Sequence, residues 1–195
     1  MPRVRRQPGV PGKSPKEASE NFISYIRETL NCVTRQEILA YQESDRLHKF
    51  LFKTPAPVTA KNGSRFFIQI NQTFTIIPTE EEMFKAHSRE YSYIFSNDAT
   101  PSGIIAYHWH PHESNLHDPH LHIHITQNLG YPEIERRISR AHFPTSRVCI
   151  EDFVLLLIKY YDIQPILDGG KWSRILRKNK KAFSNQATWF VAHNE

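Results

Sequence analysis

Seven of the chain's eleven histidines fall between residues 108 and 124. His108 and His110 alternate with Tyr107 and Trp109; His120, His122 and His124 alternate with Leu121, Ile123 and Ile125. Alternate side chains of a strand share a face, so each segment presents imidazoles on one side and apolar groups on the other. Paired antiparallel, the two strands bring five histidines to one sheet face. The connecting residues 111–119 add His112, Glu113, His117 and Asp118 near the hairpin end.

Three chemistries fit such a surface. Neutral imidazole ligates divalent transition metals such as zinc, nickel, copper and iron. His108, His110, His120, His122 and His124 are then candidate ligands, Glu113 or Asp118 a further ligand or base, and a bound metal activates water for attack on an ester or phosphate. In the second, two histidines cleave RNA without metal, one taking the 2′-hydroxyl proton and the other protonating the leaving oxygen. Arg147 then stabilises the charge on the phosphorane. In the third, a histidine is the nucleophile of nucleotidyl transfer. The candidate catalytic set is His108, His110, His120, His122 and Arg147. A plainer account stands beside each. A single strand histidine is more often a satisfied surface group than a ligand. Arg147 has Glu151 four residues on as an ion-pair partner, and alternation makes Tyr107 and Trp109 core residues before base-stacking ones.

The elements that must carry these residues read as α+β. Residues 1–15 hold four prolines, two glycines and few large apolar side chains, the composition of a disordered tail. Ser14, Pro15 and Glu17 read as a cap, a first-turn proline and a capping-box acid, and Phe22, Ile23, Ile26 and Leu30 follow at helical spacing. Thr34 and Glu37 repeat the capping-box spacing, with Ile38, Leu39, Leu47, Phe50 and Leu51 as a second helical pattern that Pro55 and Pro57 end. Residues 16–57 are therefore expected to form a helical extension. Residues 65–77 are β-branched and aromatic, either a hairpin turning at Asn71-Gln72 or one long bent strand. Residues 79–88 read as a short helix or a loop, and 90–97 as a strand. The strands that carry the histidines complete an antiparallel meander with a His-lined face. Residues 132–140 and 150–161 read as helices, the latter acidic at its start and apolar on most sides, with the apolar alternates of the sheet expected to bury against it. Gly169-Gly170 precedes a basic final helix over 171–183. Residues 58–195 thus read as the α+β core domain, flanked by an N-terminal helical pair and C-terminal helices.

Charge is local. The chain carries 25 basic and 20 acidic residues, net +5. Residues 1–16 supply Arg3, Arg5, Arg6, Lys13 and Lys16 without an acid. Residues 165–181 set six bases against Asp168 alone. Such patches attract polyanions over about a Debye length, ~10 Å. Arg174, Arg177, Lys178 and Lys181, with Trp109, are the candidate nucleic-acid contacts, and RNA the candidate partner; a solvated helix face is the plain alternative. No run of about 18 apolar residues exists, which argues against a membrane span. The N-terminus lacks the apolar core of a secretory signal. The two cysteines, Cys32 and Cys149, form no CxxC. A cytoplasmic protein without a membrane partner is expected.

Two resemblances add to this. His120-Leu121-His122-Ile123-His124-Ile125-Thr126 is similar to the His-φ-His-φ-His-φ-φ motif of the histidine-triad nucleotide hydrolases, which implies His122 as nucleophile. Over residues 90–165, EYSYIF, AYHWHP, DPHLHI and AHFPTSRVCIEDFVLLLIKYYDI resemble, in order, a group of small bacterial proteins with YHWHP and PHLH strands. Their layout is similar to TumE-like toxins of toxin–antitoxin pairs. That resemblance implies an RNA-directed, toxin-like or defence-related nuclease, a cognate antitoxin as partner, and roles for Tyr107, His108, His110, His120, His122, His142 and Arg147. The alternatives are a zinc-like metal-dependent phosphoesterase and a non-enzymatic binding module whose histidines hold a structural or sensing metal.

Overall fold

The computed structural model describes residues 11–44, 47–99, 103–111, 117–124 and 130–185. In chain order the elements are α1 (Pro15–Leu30), β1 (Leu39–Gln42), β2 (Leu47–Leu51), β3 (Ala56–Thr59), β4 (Arg65–Pro78), β5 (Phe84–Ser96), β6 (Ile105–Trp109), β7 (His120–Ile123), α2 (Pro132–Arg140), β8 (Phe143–Pro144), α3 (Ile150–Tyr160) and α4 (Lys171–Asn185). All eight strands join one antiparallel sheet in the order β1-β2-β4-β5-β6-β7-β8, with β3 pairing β4 beside β2. The class is α+β, with helices before and after a meander. None of the described helices is long and apolar enough to cross a membrane.

The register separates the two faces of the sheet. Tyr91 lies opposite Trp109, Tyr93 opposite Tyr107 and Phe95 opposite Ile105; Leu121 and Ile123 continue that face on β7. The helices cover it. Tyr93 stands 5.6 Å from Phe153 of α3, and Phe95 4.8 Å from Tyr161 just after it. Phe22 of α1 packs 4.8 Å from Phe74 of β4, and Tyr25 stacks 6.4 Å from Phe183 of α4. Burying each such ring is worth about 1.5–3 kcal/mol, so this layer is the core. The other face carries Ser92, Ala106, His108, His120 and His122.

The start of α1 follows its sequence signal. The Ser14 side chain accepts from the Glu17 amide, Pro15 occupies the first turn, and the Glu17 carboxylate reaches back to the Lys13 amide at 2.8 Å. Just before it, Gly12 exchanges two backbone hydrogen bonds with Phe84, each 2.8 Å. That ties residues 11–14 to the sheet, whereas the expected tail was unstructured through residue 15; residues 1–10 lie outside the described residues.

The expected second helix is absent, and residues 16–57 are not a helical extension. Thr34 caps no helix: its Oγ1 accepts from the Gln36 amide at 3.2 Å, a local turn that the same residue type favours. Residues 39–42 and 47–51 form a hairpin that pairs through β2 with β4. The alternation of Phe50 and Phe52, both fully buried, is the period-two signal that the i, i+3, i+4 match of Leu47, Phe50 and Leu51 concealed. The choice between the two periods was made by β4, whose free edge accepts β2 at residues 71–75 and β3 at residues 65–68. Pro57 fits there because β3 is itself an edge strand.

Of the two forms considered for residues 65–77, one long strand is the one observed, with a bulge at Thr73/Phe74. Residues 79–83 are the tight loop that turns it into β5, closed by the Thr79 amide on the Met83 carbonyl at 2.8 Å.

Candidate metal centre

Strand pairing alone converges the imidazoles. His108 lies directly opposite His120, and Ala106 opposite His122. The small Ala106 lets the His122 ring lean toward His108, at 5.0 Å between centroids; His120 stands 5.1 Å from His122 and 5.8 Å from His108. One ring nitrogen from each of His108, His120 and His122 lies within 4.8 Å of the other two. Around a zinc at about 2.0–2.1 Å, tetrahedral ligand nitrogens stand about 3.3 Å apart. Small side-chain rotations of three rings on two paired strands cover that difference.

Three observations make the trio a candidate cation site. His108 Nε2 is buried without a hydrogen-bond partner, a state that costs about 1–3 kcal/mol unless something occupies it. His120 Nδ1 lies 3.0 Å from the Asp118 carbonyl. A carbonyl only accepts, so this Nδ1 carries a proton and Nε2 is the nitrogen left to face a ligand, the usual orientation of a ligating imidazole. Burial first, then the neighbouring imidazoles, push His108 down to about 4; burial, then His142, His120 and His124, push His122 to about 4. Both rings are therefore neutral near pH 7, the form that binds metal. His120 is buried at the floor, whereas His122 is partly exposed; an approaching group meets the His122 side first.

The other expected ligands stand outside the trio. His110 shares the face, 5.5 Å from His108 between centroids, but its Nδ1 lies 3.7 Å from Glu90 Oε2. His124 stacks 6.4 Å from His122. His142, known to the sequence only through resemblance, stands edge-on 4.4 Å from His122 and 5.0 Å from His120. It arrives because Phe143–Pro144 adds to β7 as a two-residue strand. Glu90 was missed, although its alternation with Tyr91 in EYSYIF puts it on the His face. Asp118 contributes its carbonyl to His120 and no ligand atom to the trio. His112 and Glu113 lie outside the described residues.

Arg147 is not at the histidine face. Its guanidinium lies 3.6 Å above the Trp109 ring, and Trp109 points to the helix-covered side with Tyr91. It therefore does not stand over the trio to stabilise a phosphorane there. Nor does Glu151 face it: that carboxylate is buried and accepts from Thr29 Oγ1 at 2.9 Å. Trp109 is 3% exposed, with its indole N–H donating to the His117 carbonyl at 3.2 Å. A ring so buried and capped by a guanidinium is core and offers no face to a base. On α4, Arg174, Arg177, Lys178 and Lys181 are exposed, with Lys178 3.3 Å from Glu28. The helix packs on α1 and α3, so it lies on the side of the sheet away from the trio.

The chain matches no protein-family model, no curated protein and no solved structure. What can be said of its chemistry comes from its own residues.

Proposed function

We propose that this protein is a metal-dependent hydrolase of phosphate esters, with His108, His120 and His122 holding a divalent transition metal, zinc being the first candidate. The observation that carries the reading is the convergence of three imidazole nitrogens around the partnerless, buried His108 Nε2. A metal there supplies Lewis acidity and an activated water. His120, oriented by Asp118, and His108 fix the inner side, and His122 borders the open one. The His110–Glu90 pair lies next to His108 and is placed to take up or return a proton.

Metal-free acid–base cleavage of RNA is less well supported. It needs one histidine protonated near neutral pH, and His108 and His122 are both held neutral. RNA remains the first polymeric substrate to test, in a toxin-like or defence role. The exposed Arg174, Arg177 and Lys181 attract polyanions, acting from the far side of the sheet to recruit and not to position. An antitoxin partner rests on the resemblance alone.

The test is metal analysis of the purified protein after loading and desalting, followed by hydrolysis of bis(p-nitrophenyl) phosphate and of a long structured RNA, with and without chelator. The expected result is about one equivalent of retained metal and chelator-sensitive hydrolysis, both lost in His122→Ala. Failure to retain any divalent metal overturns the reading. Retained metal without hydrolysis of either substrate leaves a structural or sensing metal module. RNA cleavage that survives the chelator moves the site to metal-free histidine chemistry.

A further inference from the structure

On the helix-covered face, beyond the start of α3, the ends of β5 and β6 border a cleft of about 400 Å³. His87 and Arg89 enter it from β5, Trp109 from β6, and Thr145 and Arg147 from the segment that leads into α3; Asp118 stands at the rim. None of these side chains belongs to the trio, which lies on the opposite face of the sheet from Trp109. We propose that this cleft is a binding site for a phosphoryl oxyanion, separate from the histidine centre, in which Arg89 donates from β5, and Arg147 and the Thr145 hydroxyl from the segment that leads into α3.

Three features carry the assignment. The first is the convergence of like charge. Burial comes first among the causes that hold His87 below its ordinary 6.5, and the charges of Arg89, Arg147 and Lys85 follow it. These cations are thus close enough to act on one ring, and Asp118, exposed at the rim, is the single acid among the described residues of the lining. Like charges gathered in a concave, largely apolar site focus the field on an anion that enters.

The second is how Arg147 is held. Its guanidinium lies flat on Trp109, an arrangement that fixes the plane through the π face and leaves the N–H donors at the plane's edge. Guanidinium has five such donors in a rigid fork, so it serves protein partners and an oxyanion together. Val148, the next residue, donates its amide to the Tyr91 hydroxyl at 2.9 Å, which anchors the backbone behind the arginine.

The third is an unmet group. Thr145 Oγ1 is buried and has no hydrogen-bond partner, while the Thr145 amide is spent on the Pro119 carbonyl at 2.9 Å. A hydroxyl in a cationic cleft completes its bonding by donating to an oxyanion. A phosphoryl group fits the set: it is tetrahedral, takes donors from several directions, and pairs with guanidinium through two oxygens.

The experiment uses the full chain freed of metal by chelator, so that the histidine centre contributes nothing. Inorganic phosphate and, separately, adenosine 5′-monophosphate are titrated by calorimetry, with sulfate as a control for general anion affinity. Saturable phosphate binding is expected, weakened at least about tenfold in Arg147→Ala and in Arg89→Gln, weakened less in Thr145→Val, and unchanged in His122→Ala. Tighter binding of the monophosphate assigns the cleft to the phosphoryl end of an ester; equal binding assigns it to the free ion. Arg147→Lys keeps the charge but loses the fork, and serves if Arg147→Ala fails to fold. No saturable binding, or binding lost in His122→Ala and kept in the arginine variants, overturns the proposal. Neither outcome touches metal retention by the trio, so the two sites fail or stand separately.

Discussion

His108 is the residue on which the metal reading turns, because its Nε2 is buried with no hydrogen-bond partner. Replacing it with Ala is expected to weaken metal binding by more than about 100-fold, the upper end of what even a supporting residue costs. His124→Ala, which touches the trio only by stacking on His122, should stay within about tenfold of the parent. Cobalt loading read by visible absorption separates the two; equal losses in both variants would contradict the three-ligand assignment. Glu151 gives a second prediction at this scale. Burial, partly offset by hydrogen bonds that include Thr29's, raises its pKa above the ordinary 4.5. The folded chain therefore holds a proton that the unfolded chain releases. Stability is greatest below the ordinary value and is lost as pH rises through the raised one. Glu151→Gln is expected to flatten this slope in urea unfolding at pH 4 and pH 8. A variant that keeps the parent's slope would place the pH dependence elsewhere.

At the scale of elements, β2 decides whether the front of the chain is sheet or helix. Phe50 is fully buried between Phe22 and Phe74, and Phe50→Ala is expected to cost about 3–5 kcal/mol. Leu39, on the outer strand and 49% exposed, should cost within about 0.5 kcal/mol when replaced by Ala. Denaturant titration measures both. Equal, small effects would be the result for an exposed amphipathic helix and would contradict the hairpin. The helices are joined by a buried polar chain: Asn179 of α4 donates to Thr29 Oγ1 at 3.1 Å, and Thr29 of α1 donates to Glu151 of α3 at 2.9 Å. Thr29→Val breaks both links at once, and the loss should reach about 1–3 kcal/mol in the same titration.

Across the whole molecule, the sheet is a partition. Helices α1, α3 and α4 cover one face, and the histidine trio occupies the other. The basic helix α4 packs on α1 and α3, on the far side of the sheet from the trio. The triple variant Arg174→Ala, Arg177→Ala, Lys181→Ala is therefore expected to change hydrolysis of a small neutral-tailed phosphodiester by no more than about twofold at 0.15 M salt, where exposed charges are screened within about 8 Å. Its effect on RNA binding should be larger and should fade as salt rises. A large loss on the small substrate, measured by steady-state kinetics, would put α4 at the reacting site.

The histidine face was legible because alternation is a local property: His108 with His110, and His120 with His122 and His124, take one side of a strand whatever the rest of the chain does. The cap of α1, the apolar α3 and the basic α4 were legible for the same reason, since capping and helical periodicity involve neighbours within a few residues. Residues 34–57 were not, because their apolar spacing satisfied two periods, and only the free edge of β4, distant in sequence, selected the strand. The trio was narrowed from five histidines to three by register, which sets His108 opposite His120 and Ala106 opposite His122. His142 was added by a two-residue strand that no periodicity announces. Arg147 shows the limit most plainly. Its charge is in the sequence, but which face of the sheet receives it depends on the path from β8 into α3. Residue types and local spacing determined what chemistry this chain can do; long-range pairing decided which of those residues meet, because side chains far apart in sequence share a site only once the sheet has set its register.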